Sequence, residues 1–139
     1  MARFFGRYEH SLDDKGRVIL PAKFRAAFRG TAYLTQYHDG CLALWTPESF
    51  EEQMAAMQLK AESSRADRNL ARLWASTSHE VEVRETGRVA IPAHLRGFAA
   101  LEAEVLVNGA IDRVELWNPA RWSEKVQPEE IRLTEGLDD

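Results

Sequence analysis

Along residues 3 to 12, Phe4 and Phe5 are followed by Tyr8, His10 and Leu12 at even spacing, the period of a strand. The polar stretch Asp13-Asp14-Lys15-Gly16 then turns the chain into Arg17-Val18-Ile19-Leu20, which predicts a hairpin. In that second strand Val18 and Leu20 share one face and Arg17 and Ile19 the other, because successive side chains point to opposite sides. Pro21 suits the first position of a short helix, where a missing N–H costs no intrahelical bond. Phe24 and Phe28 stand four apart and face the core, with Arg25 and Arg29 as an exposed row beside them. Gly30 stops that helix. Residues 31 to 37 and 41 to 45 read as a second hairpin turning at His38-Asp39-Gly40, and Thr46-Pro47 caps a helix with Phe50, Met54 and Met57 as its buried stripe. Between 59 and 76, Ala66, Leu70, Leu73 and Trp74 fall on one helical face and Arg65, Arg68 and Arg72 on another. A strand near 78 to 84, a turn at Glu85-Thr86-Gly87, a strand at 88 to 91 and a helix from Pro92 to about Ala100 come next. Two last strands, near 103 to 108 and 111 to 117, are predicted to meet at Asn108-Gly109. The acidic end from Pro128 to Asp139 is weakly patterned and is expected to fray.

The pattern occurs twice. Gly16-Arg17-Val18-Ile19-Leu20-Pro21 with Phe24-Arg25 returns as Gly87-Arg88-Val89-Ala90-Ile91-Pro92 with Leu95-Arg96, and Leu44-Trp45-Thr46-Pro47 with Phe50 returns as Leu116-Trp117-Asn118-Pro119 with Trp122. Agreement across strand, cap and aromatic anchor marks duplication of a supersecondary unit. Four segments follow: a first repeat over 7–49, a helical connector over 50–77, a second repeat over 78–121, and a helix end with acidic tail over 122–139. In both copies a glycine, Gly16 or Gly87, supplies the positive φ of the turn.

A chain of 139 residues with 45% hydrophobic residues suffices for one compact domain or two interlocked ones, so the copies are expected to share a core. The single cysteine, Cys41, cannot form an intrachain disulfide and no Cys/His spacing suggests zinc, which points to a reducing cytoplasm. Neither a signal peptide nor a membrane-spanning run is visible. A net charge of −4 argues at first against a nucleic-acid partner. The charge is segregated, however. Residues 1 to 30 hold seven bases (Arg3, Arg7, Lys15, Arg17, Lys23, Arg25, Arg29) against three acids (Glu9, Asp13, Asp14), whereas the remainder holds 11 bases against 19 acids. A basic end around the first motif points to a polyanion.

Motifs of catalysis are absent: there is no Gly-x-Ser-x-Gly elbow, phosphate-cradling loop or His-Glu-x-x-His, and His10, His38, His79 and His94 are scattered. No enzyme activity, metal or cofactor is expected. Trp45, Trp74, Trp117 and Trp122 fall at repeated caps or on an amphipathic stripe and read as packing anchors. Arg17 opens a strand beside a turn, where it can pair with Asp13 to close the hairpin or leave the core towards a ligand; both roles can coexist. Lys15 at the turn tip reads as a phosphate contact or a solvated turn residue. Arg3 and Arg7 are weaker candidates, and Lys23, Arg25 and Arg29 suit a solubilising helix face as well as a binding one.

These motifs identify a resemblance. Phe4-Phe5-Gly6, Asp13-Asp14-Lys15-Gly16-Arg17 with Pro21 and Arg25, and Gly87-Arg88-Val89-Ala90-Ile91-Pro92 with Leu95-Arg96 resemble the MraZ family of bacterial transcriptional regulators, built from two SpoVT/AbrB-type swapped-hairpin domains. The resemblance covers most of the chain. It implies an α+β fold, a tandem-repeat swapped-hairpin β-barrel with peripheral helices. It also implies a closed homo-oligomeric ring, nucleoid-associated in the cytoplasm, that binds repeated elements of double-stranded DNA in the promoter of its own division and cell-wall genes. In that family each copy carries an Asp four residues before its Arg. Asp13 and Arg17 keep the pair, whereas Arg84 stands where the second acid belongs, four residues before Arg88, and Glu85 is the nearest residue to brace that turn. The DNA-contacting set is then Arg17, Lys15, Arg7, Arg3, Lys23, Arg84 and Arg88, supported by Asp13, Gly16 and Gly87, with the first copy dominant. The other reading is a DNA-free interaction module of the antitoxin or scaffold type.

Overall fold

A computed structural model describes residues 2–136. In chain order the strands are β1 (Arg7–Ser11), β2 (Arg17–Ile19), β3 (Thr31–Gln36), β4 (Leu42–Trp45), β5 (His79–Glu82), β6 (Arg88–Ala90), β7 (Glu104–Gly109) and β8 (Val114–Trp117). The helices are α1 (Ala22–Arg25), α2 (Pro47–Ala61), α3 (Arg65–Thr77), α4 (Ala93–Phe98), α5 (Pro119–Lys125) and α6 (Glu130–Thr134). Six strands form an antiparallel sheet in the order β1-β7-β8-β4-β3-β5, and β2 pairs with β6 as a separate two-stranded ribbon.

The two copies are woven together. Among the described residues, only β3–β4 and β7–β8 pair within a copy; β1–β7, β2–β6, β3–β5 and β4–β8 all join one copy to the other. The predicted first hairpin is therefore corrected. Residues 13–16 do turn the chain, with Asp13 N–H donating to Arg17 O at 2.9 Å and Gly16 N–H to Asp13 O at 3.1 Å. Beyond that turn, however, β1 runs five register pairs along β7 and β2 three along β6. Length decides this, because β2 has three residues before Pro21 and the five-residue β1 finds a longer partner in β7. The expected closed barrel is not found either: among the described residues the six-stranded sheet ends at β1 and β5. The fold is α+β around an antiparallel sheet.

The main core lies on the sheet face beneath the ribbon. Val18, Leu20, Val89 and Ile91 point down from β2, β6 and their ends, Phe24, Phe28 and Leu95 come from the helical segments that follow, and Leu34, Leu44, Val105, Val107 and Leu116 rise from the sheet. Phe4 packs at 5.5 Å from Phe24 and 5.4 Å from Phe28. The opposite face carries Cys41, Leu106 and Trp117 against Tyr37, Trp122 and Val126. Burial there pushes the Cys41 thiol far above its ordinary pKa, which leaves it an inert small apolar residue.

Several local expectations need amendment. Asn108-Gly109 does not make the turn: both residues stay in β7, and residues 110–113 close the loop through Ala110 N–H to Arg113 O. Glycine is required at 109 for another reason, since a Cβ there would lie 2.3 Å from the Phe5 backbone nitrogen. The α2 stripe is shorter than its periodicity suggests. Phe50 stacks on Tyr33 at 4.3 Å and on Trp74 at 5.5 Å, while Met54, Leu70 and Leu73 are exposed because only one end of the α2–α3 pair reaches the sheet. The tail does not simply fray, since Glu130–Thr134 forms α6; residues 137–139 of the predicted tail lie outside the described residues.

Because most ladders join the copies, neither half should yield a folded monomer. Residues 1–62 and 63–139, expressed separately and examined by circular dichroism and sedimentation, are expected to regain the native melt only on mixing. A cooperative melt from monomeric 1–62 would contradict the interlock.

Candidate nucleic-acid interface

Val18 and Val89 sit opposite each other at the centre of the ribbon, fully buried, and the register around them pairs Arg17 with Ala90 and Ile19 with Arg88. Directly opposed residues of antiparallel strands share a face. With Val18 and Val89 turned into the core, Arg17, Ile19, Arg88 and Ala90 are all placed on the outer side. The backbone ladder continues at both ends, as Leu20 N–H donates to Gly87 O at 2.8 Å and Ile91 N–H to Gly16 O at 3.0 Å. One turn, 13–16, thus lies at the end of the ribbon that carries Arg17, and the other, 84–87, at the end that carries Arg88. Lys15 and Arg84 belong to those turns. The structure thus places Arg17 with Lys15 at one end of the ribbon and Arg88 with Arg84 at the other.

The first turn is tied by a carboxylate. Asp13 Oδ1 accepts from the backbone N–H groups of Lys15 and Arg17, both at 2.9 Å, and Oδ2 accepts from Arg17 Nε at 2.7 Å. Arg17 is held by Nε alone, so its two Nη groups keep donors without a partner among the described residues. The backbone N–H of Arg17, its guanidinium and the N–H of Lys15 hold the Asp13 carboxyl at about 2, below its ordinary 3.8. Lys15 and Arg88 are exposed, and neither side chain has a partner among the described residues.

The second turn is built without such an acid. Arg84 approaches Glu82 at 3.4 Å on an exposed surface, a weak pair. Glu85 does help to brace the turn, but through its backbone carbonyl, which accepts from Arg25 Nη1 at 3.0 Å. Arg25 also donates from Nε to Leu20 O at 2.9 Å, and Arg96 makes the matching bond to Ile91 O at 3.0 Å. Both arginines lie against the glycine of the other copy's turn: a Cβ on Gly87 would sit 2.2 Å from Arg25 Nε, and one on Gly16 would sit 2.8 Å from Arg96 Cζ. Gly87 and Gly16 also have φ of 78° and 73°, so glycine serves conformation and close approach together. The sequence places Arg25 in an exposed row with Arg29, whereas it is half-buried and bonded, and Arg96, which makes the matching bond, lies outside the site residues that the sequence indicates. A signal for both existed in the sequence, since each stands four residues after the repeated proline.

The remaining candidates lie elsewhere. Lys23 Nζ is 4.2 Å from the Phe5 ring centroid, an exposed cation–π contact beside the N-terminal segment. Arg3 is exposed in that segment. Arg7 pairs with Asn108 on the sheet face away from the ribbon and lines a cavity of about 530 Å³ with Trp122, Val126 and Leu133. Among the described residues there is no cluster of three or more His, Cys, Asp or Glu side chains able to hold a metal, and no helix long and apolar enough to cross a membrane.

The depressed Asp13 carboxyl fixes a pH dependence. A folded pKa below the unfolded value gives stability that is fully present above the unfolded value and lost as pH falls through the folded one. The melting difference between wild type and Asp13→Ala is expected to be constant above about pH 4 and to close towards pH 2. A difference unchanged across that window would show that the carboxylate is not what ties the turn.

Comparison with known proteins extends these findings. The sequence model of the MraZ protein family, described as antitoxin-like, matches residues 3–73 and again 75–138. A transcriptional regulator MraZ from Nocardioides sp. is 40% identical over 121 residues, covering 87% of this chain and 84% of its own. Those from Heliobacterium modesticaldum and Thermomicrobium roseum are 38% and 37% identical, with 98% and 89% of this chain covered and 97% and 87% of theirs. With matches of this extent on both copies, the chain belongs to the MraZ family of transcriptional regulators, a family of regulators rather than enzymes.

Proposed function

We propose that this protein is a sequence-specific double-stranded DNA-binding regulator, and that it represses its own division and cell-wall gene cluster by binding promoter repeats as a closed oligomeric ring, nucleoid-associated in the cytoplasm. The observation that carries the reading is the outer face of the β2–β6 ribbon, where Arg17 and Arg88 stand with Lys15 and Arg84 in the flanking turns. A two-stranded ribbon fits the major groove, about 12 Å wide. Arginine, with its planar fork of donors, suits guanine edges and phosphates there. The proposed contact is local, so a chain of net charge −4 can still bind DNA through one basic face. Arg7, on the other face of the sheet, and Arg3 and Lys23, which lie off the ribbon strands, are assigned an auxiliary role.

One ribbon reads few base pairs, so specificity is assigned to several subunits engaging several repeats. The exposed Leu59, Leu70 and Leu73 of the α2–α3 pair offer apolar surface for such assembly. A monomer with full affinity for promoter DNA would overturn this part of the proposal.

The DNA test uses a fragment from upstream of the protein's own gene, a scrambled fragment, and at least two salt concentrations. Arg17→Ala is expected to lose roughly 1–3 kcal/mol on the specific fragment if it reads a base edge. Its melting temperature should barely move, since its loss leaves no core cavity. If Arg17 meets only phosphate, both fragments weaken alike and the salt slope drops by about one unit. Arg88→Ala is expected to lose less, because Asp13 preorders the first turn and Lys15 has Thr86 as its counterpart. Equal losses would refute the asymmetry. Undiminished binding by both variants would refute the site, and no preference for the upstream fragment would favour a DNA-free interaction module.

A further inference from the structure

Behind the two turns, the backbone bonds Leu20 N–H to Gly87 O and Ile91 N–H to Gly16 O and the Arg25 Nη1 bond to Glu85 O run between copies. We infer that Arg25 and Arg96 are positioning residues that act crosswise: each sets the contact turn of the opposite copy, Arg96 for the turn before Arg17 and Arg25 for the turn before Arg88. In its functional half the inference rests on the DNA-binding reading above.

Arg96 belongs to α4 of the second copy, yet its guanidinium lies against Gly16 of the first, close enough that a Cβ there would displace it. Its Nε–H donates to Ile91 O, and the N–H of the same Ile91 donates to Gly16 O, both at 3.0 Å. The guanidinium is thus bonded to one side of Ile91 and the Gly16 carbonyl to the other, immediately before Arg17. Arg25 repeats this around Leu20 and Gly87, where Nε–H meets Leu20 O and Leu20 N–H meets Gly87 O. It adds the bond from Nη1 to Glu85 O. That additional bond falls on the turn that lacks an acid at the Asp13 position. The first turn is held by Asp13 and Arg96 together, the second by Arg25 without a carboxylate at the Asp13 position. Arg25 is accordingly the more important brace.

A structural contact by itself would stabilise the fold evenly. A crosswise brace instead predicts which turn loosens and whose contact with DNA suffers. Lysine keeps the positive charge but has no Nε–H fork for the carbonyl, so Arg→Lys separates bracing from charge.

The test is made on the full chain in two arms. In the first, amide hydrogen exchange is followed in the absence of DNA. Arg96→Lys is expected to speed exchange at 13–17 and leave 84–88 unchanged, and Arg25→Lys to do the reverse by a larger factor. In the second, affinity for the upstream fragment is measured in double-mutant cycles. Arg96→Lys should weaken binding roughly three- to thirtyfold, within the coupling range of residues in contact. That loss should vanish in an Arg17→Ala background and persist in an Arg88→Ala background, with the opposite dependence for Arg25→Lys. Loosening of the variant's own turn, equal loosening of both, or no change would overturn the inference. So would losses that persist in every background, which would leave only a general structural role. If wild type does not prefer the upstream fragment, the DNA-binding reading fails, and the exchange arm alone decides whether the bracing is crosswise.

Discussion

The pairing of Val18 with Val89 is the contact on which the rest of the protein turns. Among the described residues neither β2 nor β6 has another ladder partner, and both are three residues long because a proline soon follows. Alone, a three-residue strand has almost no stability; two of them, closed over a core, bury two valines at about 1.5–3 kcal/mol each. That burial requires both copies at once. The same requirement appears in the sheet, where β1 crosses to β7 and β5 to β3, so that each copy completes the other. Once the ribbon is fixed on its buried side, the opposite side has little freedom: alternation puts Arg17 and Arg88 outwards, and the two turns fall at opposite ends.

Charge is placed within this frame rather than averaged over it. Asp13 holds Arg17 by one nitrogen and leaves two others without a partner among the described residues, an arrangement that restrains a cation without using all its donors. Arg25 and Arg96 have the same charge but a different task, since their Nε donors end on backbone carbonyls. Arg113 is different again. It bridges Asp112 and the buried Glu115 and lies over the Tyr37 ring, and there the cation serves packing between the copies on the helix-covered face. Identical side chains thus separate into binding candidate, brace and packing group according to what their donors meet.

How much of this was legible in the sequence depends on the range of the interaction. The faces of 17–20 and 88–91 could be read because a strand's parity is local, and the Asp13–Arg17 pair because four residues span one turn. The caps at Thr46 and Asn118 were legible for the same reason, and each accepts from a helical N–H as its position predicts. What failed was non-local. The pattern around 7–20 suited a hairpin equally well with itself or with the other copy, and only strand length against β7 decides. Asn108-Gly109 carried a strong turn signal, but the approach of Phe5 explains the glycine better than a turn does. Arg7 shares the basic character of Arg17, yet its strand parity sends it to the other side of the sheet, a separation that composition cannot report. Arg25 reads as a solvated helix residue in the sequence because the Glu85 carbonyl and the Gly87 turn that it lies against belong to the other copy.

The central claim is that the outer face of the β2–β6 ribbon is the surface that meets DNA. Placing a photoactivatable cross-linking residue at Ile19 or Ala90, and for comparison at Leu73 or Leu133, tests it most directly. These positions sample the ribbon's outer face and the helix-covered side, and none is a proposed DNA contact; Leu73 belongs to the proposed assembly surface, so its variant is read only where sedimentation gives the wild-type oligomer. Cross-links to the upstream fragment are expected from Ile19 and Ala90 and not from Leu73 or Leu133. Cross-links confined to the helix-side positions, in a protein that still binds the fragment, would contradict the account.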